Sequence, residues 1–144
     1  SKNHVKVHDE QYDYMIGWFR MQNQDSCPFC QIQHIILRNS LAVAVYDKYP
    51  VSPGHLLIIP MRHIADYFDA TKDELQAMCD LIKQGKVLLD RERQPDGYNI
   101  GVNCGEAAGQ TVMHLHIHLI PRYLGDLANP RGGVRGVIPD RRIY

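Results

Sequence analysis

The spacing of apolar residues changes several times along the chain, and each change predicts an element. In the otherwise polar first 26 residues, Tyr12, Met15, Ile16 and Phe19 recur at helical spacing and predict a short N-terminal helix. "IILRNSLAVAVYD" holds two strand-forming runs split by the turn pair Asn39-Ser40, which predicts a hairpin. After the turn "YPVSPG", "HLLIIP" predicts a short buried strand closed by Pro60. The period then lengthens: Leu75, Met78, Ile82 and Leu89 share one face, Thr71 and Glu74 form a capping box, and residues 72–92 are expected to form the longest helix. Gly85 falls on that face, where its cost of roughly 1 kcal/mol relative to alanine implies another backbone approaching closely. "YNIGVN" and "TVMHLHIHLIPR" supply two more strands. Strands and helices do not alternate in a regular βαβ order, so the fold class is α+β with an antiparallel sheet of about five strands.

Composition narrows the picture. With 144 residues, 44% of them hydrophobic, the chain suits one domain with its own core. Lys plus Arg and Asp plus Glu number 16 each, so no overall field favours nucleic acid or an anionic membrane, and any anion binding must be local. Apolar runs such as "HLLIIPM" fall far short of the ~20 residues a membrane helix needs, which favours a cytoplasmic protein. Of the cysteines at 27, 30, 79 and 104, Cys79 lies inside a helical pattern and is expected in the core. "CPFC" leaves three readings open: a disulfide, a redox pair or half a metal site. Redox is the weakest, because no βαβ unit frames the pair.

The chemistry concentrates in "GQTVMHLHIHLIPR". Side chains alternate along a strand, so Met113, Leu115, Ile117 and Leu119 are expected inward and His114, His116 and His118 on the opposite face, neighbours roughly 7 Å apart. Such a row can be a solvated face, a chelating pair or a site of covalent chemistry. For the last, imidazole has an ordinary pKa of about 6.5. Two charged rings at ~7 Å and an effective dielectric of ~20 would repel by roughly 2 kcal/mol, so they do not protonate together. One ring can then stay a neutral nucleophile while its neighbour carries a proton and steadies an anion. Phosphorus suits such a nucleophile, because positioning and charge neutralisation supply most of the catalysis there.

"HLHIHLI", preceded by "GQTV" and accompanied upstream by "SPGHLLIIPMRHI" and "YNIGVNCGEAAGQ", resembles the histidine triad (HIT) superfamily of nucleotide hydrolases and transferases over residues 30–122. The resemblance implies a HIT-like fold and a homodimer, with an N-terminal extension at 1–26, the HIT domain at 27–128 and an Arg/Gly-rich segment at 129–144. It also implies hydrolysis at the α-phosphate of a purine nucleotide ligand, a dinucleoside polyphosphate such as diadenosine tetraphosphate or a nucleoside phosphoramidate, with no organic cofactor. His116 would attack phosphorus and become nucleotidylated, and water would then release the monophosphate. His118 would bind the scissile phosphate region. The carbonyl of His114 would accept the Nδ1 proton of His116 and so expose its Nε2. His55 would sit beside the row.

By the same resemblance, Asp47 would hold the ribose hydroxyls, with a turn role as the competing reading. Asn103, Gln110 and Thr111 would contact phosphates or the leaving group. Gly105 and Gly109 bracket that loop, where backbone must approach a phosphate. Cys27, Cys30, His63 and His114 would hold a structural zinc, a closed tetrahedral set. The segment "NPRGGVRGVIPDRRIY" resembles the endings of dinucleoside-polyphosphate-like members and is either a frayed tail or a loop folded over the nucleotide site, where Arg131 or Arg135 could meet a polyphosphate. Three other functions stay open: a phosphorylase, a nucleotide-binding module without turnover, and a zinc hydrolase using the triad as ligands.

Overall fold

The computed structural model describes residues 26–144, so the helix expected around Tyr12 and Phe19 lies outside the described residues. Five strands form one sheet: β1 (Leu37–Arg38), β2 (Ala42–Tyr46), β3 (Leu56–Pro60), β4 (Gly97–Val102) and β5 (Ile117–Arg122). Their order is β1-β2-β3-β5-β4, and every neighbouring pair is antiparallel. The expected hairpin is β1–β2. Asn39 builds its turn by accepting from the amides of Leu41 and Ala42, while its own amide group donates to Ala77 O and so ties the turn to the helix.

That helix, α1 (Lys72–Arg93), starts at the predicted capping box: Glu74 N donates to Thr71 Oγ1 at 3.1 Å, and Thr71 N to Glu74 Oε1 at 3.0 Å. It ends where Gln94 turns left-handed. Its buried face is Glu74, Ala77, Met78, Leu81, Gly85 and Leu89, rotated slightly from the predicted one, so Leu75 and Ile82 lie on its flank. Cys79 is exposed, contrary to expectation, because it sits about 100° round the helix from buried Met78. Gly85 is indeed a point of close approach, but to side chains: a Cβ there would come within 3.1 Å of Leu119 Cδ2 and 3.2 Å of Leu56 Cδ1. No helix among the described residues is long and apolar enough to cross a membrane.

Both faces of the sheet are covered at its centre, which is why "LLIIP" is buried without alternation. On the helix side, Ala42, Ala44, Leu56, Ile58, Leu115, Ile117 and Leu119 pack against Met78, Leu81 and Leu89. On the other, Val43, Val45, Leu57 and Ile59 are covered by Phe29, Ile32 and Ile35. β5 alternates as expected, with Ile117, Leu119 and Pro121 buried. Ladder pairing begins only at Ile117, and Met113, expected inward, is 41% exposed because the chain before the strand runs irregularly.

Candidate active site and metal centre

His118 lies on the sheet face opposite the helix, directly across from Leu57 on β3 and Gly101 on β4. A Cβ at Gly101 would meet nothing within 4 Å, so the face beside His118 is open to a ligand. His55 and Asp47 reach the same place from the β2–β3 connection. Asp47 N donates to His55 O at 2.9 Å, which makes the two cross-strand neighbours and accounts for their spacing of eight residues.

The hydrogen bonds order the protons on these rings. Val51 N–H, which can only donate, points at His55 Nδ1 at 3.2 Å, so a neutral His55 carries its proton on Nε2. That Nε2 lies 2.9 Å from His118 Nδ1 and 3.5 Å from Asp47 Oδ2. His118 therefore accepts at Nδ1 and keeps its own proton on Nε2. His114 O, which can only accept, lies 2.8 Å from His116 Nδ1, so His116 has its proton there and a lone pair on Nε2. One ring of the row thus presents a lone pair and its neighbour an N–H, with centroids 5.2 Å apart.

Burial decides the charge state. Desolvation, reinforced by nearby His116 and His55 and only partly offset by Asp47, pushes His118 down to about 4. Desolvation also lowers His55 against the pull of Asp47. The expectation that His116's neighbour carries a proton is corrected accordingly: half-buried His118 is neutral near pH 7 and offers a neutral N–H donor instead of a cation.

His114 faces away from this pair. Its Nε2 donates to Pro60 O at 2.8 Å, and its Nδ1 lies 3.5 Å from Cys27 Sγ and 3.6 Å from Cys30 Sγ. His63 Nδ1 lies 3.1 Å from Cys30 Sγ, and the four donor atoms all fall within 4.8 Å of one another. A tetrahedral zinc with ordinary Zn–S and Zn–N bonds has edges of about 3.3–3.8 Å, so the set fits that ion with little adjustment. Cys27 and Cys30 are thiols, unbridged, and desolvation keeps His114 neutral, as a ligand must be.

The remaining expected site residues divide. Asp47 takes part in the turn, Oδ1 accepting from Tyr49 N–H at 2.9 Å, while its other oxygen faces His55. Asn103 is half-buried and Thr111 exposed, at the two ends of the loop that Gly105 and Gly109 shape with φ of 88° and 89°. Gln110 is buried and wholly engaged by backbone: Oε1 accepts from Gly105 N–H, and Nε2 donates to Ala65 O and Val112 O. It clasps the loop that was expected to approach phosphate.

The C-terminal segment folds back, with a Cβ at Gly133 lying 3.4 Å from Asn99 Nδ2 on β4. Asn99 pairs with Ile120, on the histidine face. Arg131 and Arg135 bond carbonyls within the segment and cover the Tyr144 ring.

Two contributors escaped the sequence reading. Val51 acts through its backbone N–H, which every residue except proline carries. Phe29, ring centroid 5.0 Å from His116, carries no periodic signal inside the cysteine pair.

A HIT domain family profile matches residues 31–125. An uncharacterized HIT-like protein of Mycoplasma genitalium is 39% identical over 104 residues, 68% of this chain and 74% of that protein. The AP-4-A phosphorylase of Mycobacterium tuberculosis is 33% identical over 64% of this chain, and the match covers 48% of the enzyme. For the asymmetrical bis(5'-nucleosyl)-tetraphosphatase of Schizosaccharomyces pombe the identity is 33%, over 65% of this chain and 52% of that enzyme. Among solved structures, a Zn-bound histidine triad family protein from Mycobacterium smegmatis matches with a TM-score of 0.67 at 30% identity, over 74% of this chain and 81% of that one.

Proposed function

The chain belongs to the histidine triad family of nucleotide-processing enzymes, and on that premise we propose that it hydrolyses dinucleoside polyphosphates of the diadenosine tetraphosphate class through a nucleotidyl-His116 intermediate. The observation that carries this is the 2.8 Å contact between His116 Nδ1 and His114 O, which leaves the Nε2 lone pair of His116 as the nucleophile. In the first step that lone pair forms a P–N bond to the α-phosphorus while the P–O bond to the remaining phosphate chain breaks. The leaving oxygen takes the bonding pair, and the ring becomes a substituted imidazolium whose Nδ1–H bond to His114 O strengthens with the charge. His118 Nε2–H donates to a phosphate oxygen, and Asp47 is the acceptor for ribose hydroxyls. Water then attacks the same phosphorus, the P–N bond breaks, a proton from the water is released, and His116 regains its lone pair. A phosphate leaving group, whose second pKa is about 6, departs without being protonated. An amine does not, so a phosphoramidate would need a proton, with His118 Nε2–H as the donor at hand, that an anhydride does not need.

Cys27, Cys30, His63 and His114 are the residues to hold zinc, which would cross-link the start of the described chain to the approach of β5. The two groups of possible metal ligands among the described residues, Cys27, Cys30, His63 and His114 and, separately, Asp47, His55 and His118, split the triad and leave out His116, which weighs against a zinc hydrolase built on the triad. A homodimer suits β4, a six-residue strand at the sheet edge carrying the 51%-exposed Ile100.

The second reading, phosphorolysis, has the phosphorylase relative in its favour and needs only phosphate in place of water in the second step. The test is acid-quenched incubation with diadenosine tetraphosphate, followed by peptide mapping and product analysis with and without inorganic phosphate. Hydrolysis predicts an adenylylated His116 and AMP in both conditions, with no label and no turnover in His116→Ala. AMP replaced by ADP on adding phosphate would assign the phosphorylase reaction instead.

A further inference from the structure

Among the described residues the His116 ring makes one hydrogen bond, from Nδ1 to His114 O, and a single bond leaves a ring free to tilt about it. Two ring contacts remove that freedom. One is with His118 at 5.2 Å and an interplanar angle of 65°, itself held by His55. The other is with Phe29, at 5.0 Å and 63°, an edge-on packing of the kind aromatic pairs prefer. The nucleophile is therefore in ring contact with one histidine and one phenylalanine.

Phe29 is positioned by its neighbours in sequence as well as in space. It packs against the cluster of Val43, Val45, Leu57 and Ile59, and it is flanked by Cys27 and Cys30, whose sulfurs lie against His114 and His63. It also meets the His114 ring edge-on at 6.1 Å. Both supports of His116 thus trace to the Cys/His cluster: His114 through its carbonyl, and Phe29 through the turn that carries both thiols.

We infer that Phe29 is a positioning residue that holds the His116 ring in its attacking orientation, so that the Cys-Pro-Phe-Cys turn serves the nucleophile as well as the metal centre. The inference rests on His116 being the nucleophile, but its primary test does not need turnover. The ring ¹⁵N resonances of His116 in the ligand-free, zinc-loaded chain report its tautomer directly. Wild type is expected to show protonation at Nδ1 alone. Phe29→Leu, which keeps apolar bulk and loses the ring, is expected to show a mixture of the two tautomers with bound zinc per chain unchanged, and Phe29→Tyr to restore the single form.

In single-turnover kinetics Phe29→Leu should slow nucleotidylation about tenfold or more, as small misplacements of reacting groups do, with KM moved by less than about twofold. An unchanged tautomer and rate in Phe29→Leu would overturn the inference, as would a loss confined to KM, which would make Phe29 a ligand contact. Should Phe29→Leu shed zinc or fail to fold, Phe29→Met takes its place under the same criteria. Absence of a nucleotidyl adduct in wild type would refute the chemistry of His116 without touching the tautomer result, so the two failures are distinguishable.

Discussion

Which nitrogen holds the proton is the property that separates the histidines of this site. His116 and His118 are two positions apart on one face, yet one presents a lone pair and the other an N–H, because a carbonyl fixes the first and a chain from Val51 through His55 fixes the second. Alternation places His118 correctly on the face opposite the helix, whereas His114, expected on that face with His116 and His118, precedes the ladder and turns to the cysteines instead. The charge of the rings was not legible in the sequence, since desolvation depends on what the fold piles around a ring. That desolvation has a measurable consequence. Unfolded, His118 titrates near 6.5; folded, it resists protonation down to about 4. Between those values the unfolded chain binds more protons, so the contribution is fully present above about pH 6.5 and is lost as pH falls towards 4, with His55 acting in the same direction. Urea midpoints should fall over that window, and less steeply in His118→Gln. Equal slopes in the two proteins would show that His118 is not the group responsible.

At the scale of elements, alternation and capping chemistry were sufficient for the β1–β2 hairpin, β3 and the start of α1. The helix face was displaced because periodicity marks apolar residues without knowing which part of the helix the sheet will meet: Ala77 and Leu81 are central, and Leu75 is not. Cys79 and Met113 went astray for related reasons, one by its angle on the helix and the other by preceding the ladder. Gln110 is the strongest departure from expectation, a polar side chain consumed by backbone carbonyls and an amide that become neighbours only after folding. The helix itself supports a graded prediction. Thr71→Ala removes one half of the capping box and should cost about 1 kcal/mol. Leu81→Ala, at a fully buried position between helix and sheet, should cost about 2–5 kcal/mol. Equilibrium unfolding that ranked Thr71→Ala as the more damaging would contradict this packing.

Across the whole molecule, the Cys/His cluster joins residues 27–30 to the His63 segment and to the approach of β5, three stretches far apart in sequence. Protein purified without added metal should carry close to one zinc per chain, and a strong chelator should lower the melting temperature before it abolishes activity. Well under one zinc per chain would remove the metal from the account. At the sheet edge β4 pairs only with β5 among the described residues, leaving its other side as a free strand edge there. Sedimentation should report two copies per particle, and Ile100→Asp, placing a charge on that edge, should shift it towards one. A monomeric wild type would exclude the pairing. The C-terminal segment shows where sequence reading stops: its composition allowed a loose tail or an ordered loop, and only contacts such as Arg142 with Asn129 O and Arg131 O make it ordered.

The most direct measurement of the central claim is intact-mass and peptide analysis of the wild-type chain, quenched in acid during turnover of diadenosine tetraphosphate. The account predicts an adenylyl group on His116 and none in His116→Ala. Turnover by wild type without any adduct, or an adduct on His118 instead, would contradict it.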